Sequence, residues 1–98
     1  MNTFILNGEN MTTREDAHAE IRHEMRFPEY YGNNLDALWD LISCDDADVT
    51  LRNPAPMLNS LGVYGCKLLK TFFDAARENP DFHFRVENHE SIEPRGCE

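Results

Sequence analysis

The chain has 98 residues and a formal net charge of −9, from 18 acidic and 9 basic side chains. This length favours one domain, and because 22 residues are Leu, Ile, Val or Phe, we expect a small but ordered core. Phosphate would repel so acidic a chain, which excludes nucleic acid and anionic membrane surfaces as partners and favours a basic protein.

The sequence shows no membrane or secretion signal. Its longest apolar run is three residues, as at 4–6, whereas a membrane span needs roughly 20. No basic residue precedes an apolar stretch at the N-terminus, so we expect a cytoplasmic protein. The three cysteines, at 44, 66 and 97, follow no zinc spacing and predict reduced thiols instead of a disulfide framework.

The first strand is predicted at residues 3–7 and ends at Gly8; its unbroken apolar centre suggests burial on both faces. A helix should follow, because Thr12 and Glu15 have the spacing of a capping box. One face of this helix carries an apolar residue every four positions, namely Ala17, Ile21 and Met25. The helix must end before Pro28.

Residues 27–34 contain one Pro, one Gly and two Asn, which predicts a loop, and one Asn should cap the next helix. That helix is expected at about residues 35–43. Its buried stripe consists of Leu35, Leu38, Leu41 and Ile42. Asp36 and Asp40 lie one turn apart on a different face, beside Trp39.

The second half of the chain again alternates between strands and helices. A strand is predicted at 48–52, and the proline pair after it should interrupt regular structure before a short helix at 57–63. A longer helix is expected at 65–78. Its apolar face consists of Leu69, Phe72, Phe73 and Ala76. Alternating apolar residues predict a last strand at 82–87.

The resulting order, β-α-α-β-α-α-β, predicts an α/β fold. Helical crossovers join parallel strands, so we expect a small parallel sheet with helices packed on it. Residues 1–87 should form this domain. Residues 88–98 contain Pro, Gly and almost no apolar side chains, which predicts a C-terminal extension outside the core.

The stretch 27–51 combines acidic and aromatic side chains and has no Lys or Arg. Its acids are Glu29, Asp36, Asp40, Asp45, Asp46 and Asp48. Its candidate aromatic anchors are Tyr30, Tyr31 and Trp39. This combination is typical of a protein-binding hot spot, where carboxylates accept charge-assisted hydrogen bonds from a cationic partner.

Each of these residues also has a purely structural explanation. Asp36 in a first helical turn stabilises the helix dipole, and Asp40 would belong to a solvated face. Trp39 would be part of the core, and the two tyrosines would clamp the loop. The remaining candidates would be ordinary core or surface residues; they are Leu35, Ala37 and Asp74.

The motif that carries a family resemblance runs from Phe27 to Asp40 and reads FPEYYGNNLDALWD. It resembles the signature of the barstar family, whose members are intracellular inhibitors of barnase-type ribonucleases. The similarity extends more weakly over residues 2–87, including 5–9 and 72–75. It implies a barstar-like fold, in which four helices pack around three parallel strands.

The resemblance also implies a function, in which the second helix and the loop before it plug the active-site cleft of a basic ribonuclease. The residues that would meet the enzyme are Tyr30, Tyr31, Gly32, Asn34, Leu35, Asp36, Ala37, Trp39 and Asp40. Asp40 would be the central anion, placed where an RNA phosphate would lie. Asp74 matches a carboxylate on the family's last helix, with Asp in place of Glu. Asp45 replaces an aromatic contact of the family.

Other classes of protein fit the sequence less well. Paired acids such as Asp36 and Asp40 hydrolyse glycosides only across a cleft, and no phosphate-loop or nucleophile motif is present. His18 and His23 do not share a helix face, so we expect surface histidines and no metal site. We therefore expect a non-enzymatic inhibitor without a cofactor, monomeric when free. The open alternative is a barstar-like binding module for a different cationic protein.

Overall fold

Three strands pair in parallel, in the order β1-β2-β3, in a computed structural model that describes residues 2–87. The strands are β1 (Asn2–Asn7), β2 (Ala47–Arg52) and β3 (Phe82–Glu87). Phe4 of β1 and Phe84 of β3 are both in register with Val49, so these side chains lie on one face of the sheet. The predicted extension 88–98, including Cys97, lies outside the described residues.

Four helices lie on that side of the sheet; the first and the last contact the edge strands, and the other two pack on the last helix. They are α1 (Arg14–Met25), α2 (Leu35–Ile42), α3 (Ala55–Leu61) and α4 (Val63–Glu78). Right-handed crossovers between consecutive parallel strands carry every connection to the same side. Burial agrees, because Val49 and Phe82 are buried while His83 and Arg85 on the opposite face are exposed. The predicted α/β architecture of three parallel strands and four helices is therefore confirmed.

The prediction that β1 is buried on both faces is wrong. β1 forms one edge of the sheet, and Ile5, on the face away from the helices, is 47% exposed. The central strand β2 is covered better, since even Thr50 on this outer face is buried. An apolar triplet predicts a strand, but its place in the sheet depends on pairing with residues far away in the chain.

Three details of the helices also differ from the prediction. Thr13 caps α1 in place of Thr12, and its hydroxyl accepts a hydrogen bond from the Asp16 N–H at 3.0 Å. Pro56 lies in the first turn of α3, where a missing N–H costs nothing, so the proline pair begins a helix. The buried face of α4 consists of Gly65, Leu68, Phe72 and Ala75. Phe73, predicted to be buried, is 47% exposed.

Candidate functional site

The segment between α1 and α2 (residues 27–34, called the α1–α2 loop) turns sharply at both ends. Arg26 ends α1 in the left-handed backbone region with φ 59°, and Asn33 precedes α2 with φ 55°. Within the loop the Tyr31 N–H donates to the Pro28 carbonyl at 3.0 Å. The loop is therefore held by its own backbone contacts, and this lowers the entropy that a partner would have to remove on binding.

Asn34 joins the α1–α2 loop to the start of α2. Its side-chain oxygen accepts a hydrogen bond from the Ala37 N–H at 2.7 Å, and its amide group donates to the Gly32 carbonyl at 3.1 Å. Asn34 is thus the N-cap of α2, as the sequence predicts for one of the two asparagines. This side chain fixes the loop relative to the helix that bears Asp36 and Asp40.

We expect Asn34→Ala to lower the free energy of unfolding by about 1 kcal/mol, because an N–H of the first turn of α2 loses its acceptor. Urea denaturation monitored by circular dichroism measures the loss. The matched control is Asn59→Ala, since Asn59 is exposed within α3 and alanine suits a helix interior. Equal losses in the two variants would contradict the capping role of Asn34.

The side chain of Tyr31 points inward from the α1–α2 loop, and only 5% of the surface of this residue is exposed. Its ring packs against Phe27 with 5.1 Å between centroids, and its hydroxyl lies 2.7 Å from Nδ1 of His18. The other ring nitrogen of His18, Nε2, lies 2.6 Å from the Tyr64 hydroxyl of α4. Burial lowers the pKa of His18 and raises the pKa values of Tyr31 and Tyr64. The prediction of a surface histidine is therefore wrong for His18.

The sequence carried a signal for this burial. His18 stands three residues before Ile21 and seven before Met25, so it belongs to the same buried stripe of α1. An interpretation that assigns polar residues to the surface misses it. The consequence for the site is that Tyr31 mainly supports the α1–α2 loop from inside, as its structural explanation anticipated.

A shallow depression beside α2 brings several of the predicted residues together. It has a volume of about 260 Å³ and is lined by Tyr30, Tyr31, Gly32, Ala37, Asp40 and Leu41; we call it the α2 depression. Tyr30 is 83% exposed and Asp40 is exposed. At Gly32 a Cβ would meet the side chains of Asn34 and Ala37 at 3.2 and 3.3 Å, so glycine suits the close approach of the loop to the helix. The depression presents an aromatic ring, uncovered backbone and a carboxylate side by side.

Other predicted residues lie outside the α2 depression. Leu35 and Trp39 are half-buried and pack against the core, and Asp36 is exposed in the first turn of α2. Asn34 is exposed, but its side chain is engaged as the helix cap. These residues adjoin the depression along the chain without lining it.

Asp74 lies on α4, which packs against α2, and its carboxylate is already paired. Lys70 Nζ donates to it at 2.8 Å and Arg77 at 2.6 Å, both from the same helix. The hydrogen bond from Lys70 is the main cause that lowers the pKa of Asp74. This group therefore presents a charge neutralised by its own neighbours, unlike the acids of α2.

The carboxylates around α2 have no such partners. Within residues 2–87, none of Glu29, Asp36, Asp40, Asp45 and Asp46 forms an ion pair. The Asp45 side chain accepts a hydrogen bond from the Asp46 N–H at 2.8 Å. Asp45 also borders a second depression, of about 480 Å³, which shares Leu41 with the first. The surface at α2 is thus anionic and open to a cationic partner.

The described residues contain no cluster of His, Cys, Asp or Glu suited to a metal ion. None of their helices has both the length and the apolar character needed to cross a bilayer. With Asp40 and Tyr30 exposed side by side, the α2 depression offers charge-assisted hydrogen bonding combined with aromatic contact.

Comparison with known proteins relates the chain to a family and to a curated relative. The family model described as "Barstar (barnase inhibitor)" matches residues 1–89 of the chain. A protein of Bacillus subtilis (strain 168) named "Putative ribonuclease inhibitor YrdF" is 34% identical over 84 residues, which cover 83% of this chain and 92% of that protein.

Proposed function

Because the chain belongs to the barstar family, we propose that it inhibits a basic, barnase-like ribonuclease by placing α2 and the α1–α2 loop in the active-site cleft of the enzyme. The observation that carries this proposal is the α2 depression, where Asp40 is exposed next to Tyr30 and has no cation of its own among the described residues.

The electrostatics of the two surfaces support this arrangement. A ribonuclease lines its cleft with cations that hold the phosphates of RNA, and Asp40 offers a carboxylate to the same cations. Asp36 and Asp40 are like charges one turn apart, which costs about 0.2–0.5 kcal/mol in the free helix. A cationic partner removes this repulsion on binding, so the pair favours the complex over the free protein.

The surrounding residues take different parts in the proposed contact. Tyr30 provides a large exposed ring with few rotors to immobilise, and Gly32 lets the enzyme approach the backbone. Asn34 holds the loop against the helix. The residues that complete the interface from buried, half-buried or flanking positions are Tyr31, Leu35, Asp36, Ala37, Trp39 and Asp74.

We further propose that the chain acts without enzymatic activity or a cofactor, in the cytoplasm of the cell that makes the ribonuclease. Residues 1–87 form the inhibitory domain, and 88–98 form an extension to it. The free protein is a monomer in this proposal, since the α2 depression is reserved for the enzyme. Two exposed cysteines, Cys44 and Cys66, are free thiols, which suits a reducing compartment.

The direct test is inhibition of RNA cleavage by purified barnase-type ribonucleases. We expect one inhibitor molecule to block one enzyme molecule, with RNA competing for the same cleft. Binding to a basic protein that is not a nuclease, without any inhibition of ribonucleases, would contradict the proposal and support the alternative of a barstar-like module for another cationic protein.

The association rate should depend strongly on salt. The net charge of −9 and the unpaired carboxylates at α2 attract a basic enzyme over a distance, and salt screens this attraction. We expect association to slow by roughly tenfold or more between low and high ionic strength, while dissociation changes less. Stopped-flow fluorescence measures both rates. An association rate independent of salt would contradict electrostatic steering.

A further inference from the structure

A chain of two hydrogen bonds connects three separate elements through one buried imidazole. His18 of α1 contacts the Tyr31 hydroxyl of the α1–α2 loop at 2.7 Å and the Tyr64 hydroxyl of α4 at 2.6 Å. His18 itself is 1% exposed and does not line the α2 depression. His18 therefore cannot touch a partner. It contacts the inner side of the α1–α2 loop, whose outer side would contact the partner.

Burial determines which atoms carry the protons in these two hydrogen bonds. Among the described residues, the Tyr31 hydroxyl has His18 Nδ1 as its hydrogen-bond partner, and Tyr31 is too buried to donate to water instead. Its O–H must therefore donate to Nδ1, because an unpaired buried donor is costly. Tyr64 is only half-buried, so it can accept from the N–H at Nε2 and donate its own proton to water. The neutral imidazole is thus protonated at Nε2.

We propose that neutral His18 is a positioning residue for the α1–α2 loop, and that a proton taken up from solvent at Nδ1 in acid leaves the Tyr31 O–H without an acceptor, loosens the loop and weakens the hold on the ribonuclease. The effect on affinity rests on the proposed function. The effect on the loop concerns the free protein and stands independently of it.

Among the described residues, the groups around His18 include no anion that would stabilise an imidazolium. The loop contributes Tyr31, and α4 contributes Tyr64. From α1 itself the guanidinium of Arg14 lies 4.2 Å from the centroid of the Tyr64 ring, which adds a positive charge nearby. No carboxylate within residues 2–87 pairs with His18.

The sign of the pH dependence follows from burial. Burial lowers the pKa of His18 in the folded protein below the ordinary histidine value of 6.5, so the unfolded chain binds this proton first as the pH falls. The contribution of His18 to stability is therefore fully present above pH 6.5 and is lost on acidification, down to the lowered pKa of the folded state.

Two tyrosine variants test the assigned protons with opposite expectations. Tyr31→Phe removes the donor that stabilises the neutral ring, so the pKa of His18 should rise. Tyr64→Phe removes an acceptor that the charged ring needs more than the neutral ring, so the pKa of His18 should not rise. Both are read from the imidazole nitrogens by NMR. A rise in Tyr64→Phe together with none in Tyr31→Phe would overturn the assignment.

The positioning role is tested in the free protein and in the complex. Tyr64 does not line the α2 depression. Even so, Tyr64→Phe should speed hydrogen exchange of the Tyr31 amide, and it should weaken ribonuclease binding about two- to tenfold at pH 7.5. Unchanged exchange would overturn the proposal, whether or not a ribonuclease is bound. Wild-type protein that binds no ribonuclease would overturn the proposed function alone.

The pH profile of affinity separates His18 from titrating groups of the enzyme. As the pH is lowered below 6.5, over the whole range in which the protein stays folded, wild-type affinity should fall more steeply than that of His18→Gln, which retains a donor and an acceptor but does not titrate. His23→Gln is the matched control, because His23 is exposed on the same helix, and it should keep the wild-type profile. Parallel profiles for wild type and His18→Gln would overturn the acid release.

Discussion

Asp40→Ala is expected to weaken ribonuclease binding by on the order of 2–5 kcal/mol, which corresponds to roughly 30- to 5,000-fold in Kd. Asp40 is exposed in the α2 depression and forms no ion pair within residues 2–87, so its carboxylate is free for the enzyme's cations. In the complex those cations would be desolvated, and removing their anion leaves them unpaired. Calorimetric titration or inhibition constants measure the loss.

Asp46→Ala is the matched control for this prediction. Asp46 is exposed in the turn after α2 and does not line the depression, so its removal should cost far less than that of Asp40. Equal losses would indicate diffuse attraction between opposite charges and would contradict a specific plug. Asp40→Asn keeps the shape and removes the charge, so it should lose most of what Asp40→Ala loses. None of the three variants should unfold at a lower temperature than wild type, because neither side chain packs in the core; the two Asp40 variants should gain slightly, since they lose the repulsion from Asp36.

The regular parts of the fold were predictable because local pattern and final packing agree there. Alternation of Phe82, Phe84 and Val86 predicted β3 at the bounds it has in the structure, residues 82–87. The glycine and asparagines of the α1–α2 loop likewise predicted both the loop and a cap for α2. In each case neighbouring residues determine the local conformation, and the tertiary structure is compatible with it.

Properties that depend on distant residues were not predictable in this way. Apolar residues of α4 lie on either side of the buried Phe72, so the sequence alone could not decide whether Phe73 or Ala75 belongs to the core. The packing of α4 against α2, α3 and β3 decides it: Ala75 is fully buried, whereas Phe73 contacts Phe84 of β3 and remains 47% exposed. The edge position of β1 depends on strand pairing in the same manner.

In the candidate site, the two adjacent tyrosines show most clearly which properties neighbouring residues determine and which depend on distant residues. The motif marks both as candidates for contact, yet Tyr30 is 83% and Tyr31 5% exposed. Tyr31 is held inside by its ring, which packs against Phe27, and by its hydroxyl, which lies 2.7 Å from Nδ1 of His18, thirteen residues earlier. Sequence reasoning could name the pair, but only the tertiary contact with α1 assigns them different tasks.

This assignment predicts that Tyr30→Ala and Tyr31→Ala separate affinity from stability. Tyr30→Ala removes an exposed ring that only a partner would bury, so binding should weaken by about 2 kcal/mol or more while stability stays within about 0.5 kcal/mol of wild type. Tyr31→Ala removes a buried ring and the donor to His18, so the free energy of unfolding should fall by about 3–5 kcal/mol. Urea denaturation and binding titrations on both variants make the comparison.

The two variants are each other's control, since the same side chain is removed at neighbouring positions of one loop. Tyr31→Ala should also bind less tightly, even at low temperature where it remains folded, because the α1–α2 loop has lost its anchor under Tyr30 and Gly32. Tyr31→Phe keeps the ring, so it should be nearly as stable as wild type and far more stable than Tyr31→Ala. The loss of stability that remains in Tyr31→Phe measures the contribution of the hydroxyl. A Tyr30→Ala variant that loses stability as Tyr31→Ala does, or that binds the ribonuclease normally, would contradict the idea that an exposed ring on a rigid loop contacts the enzyme.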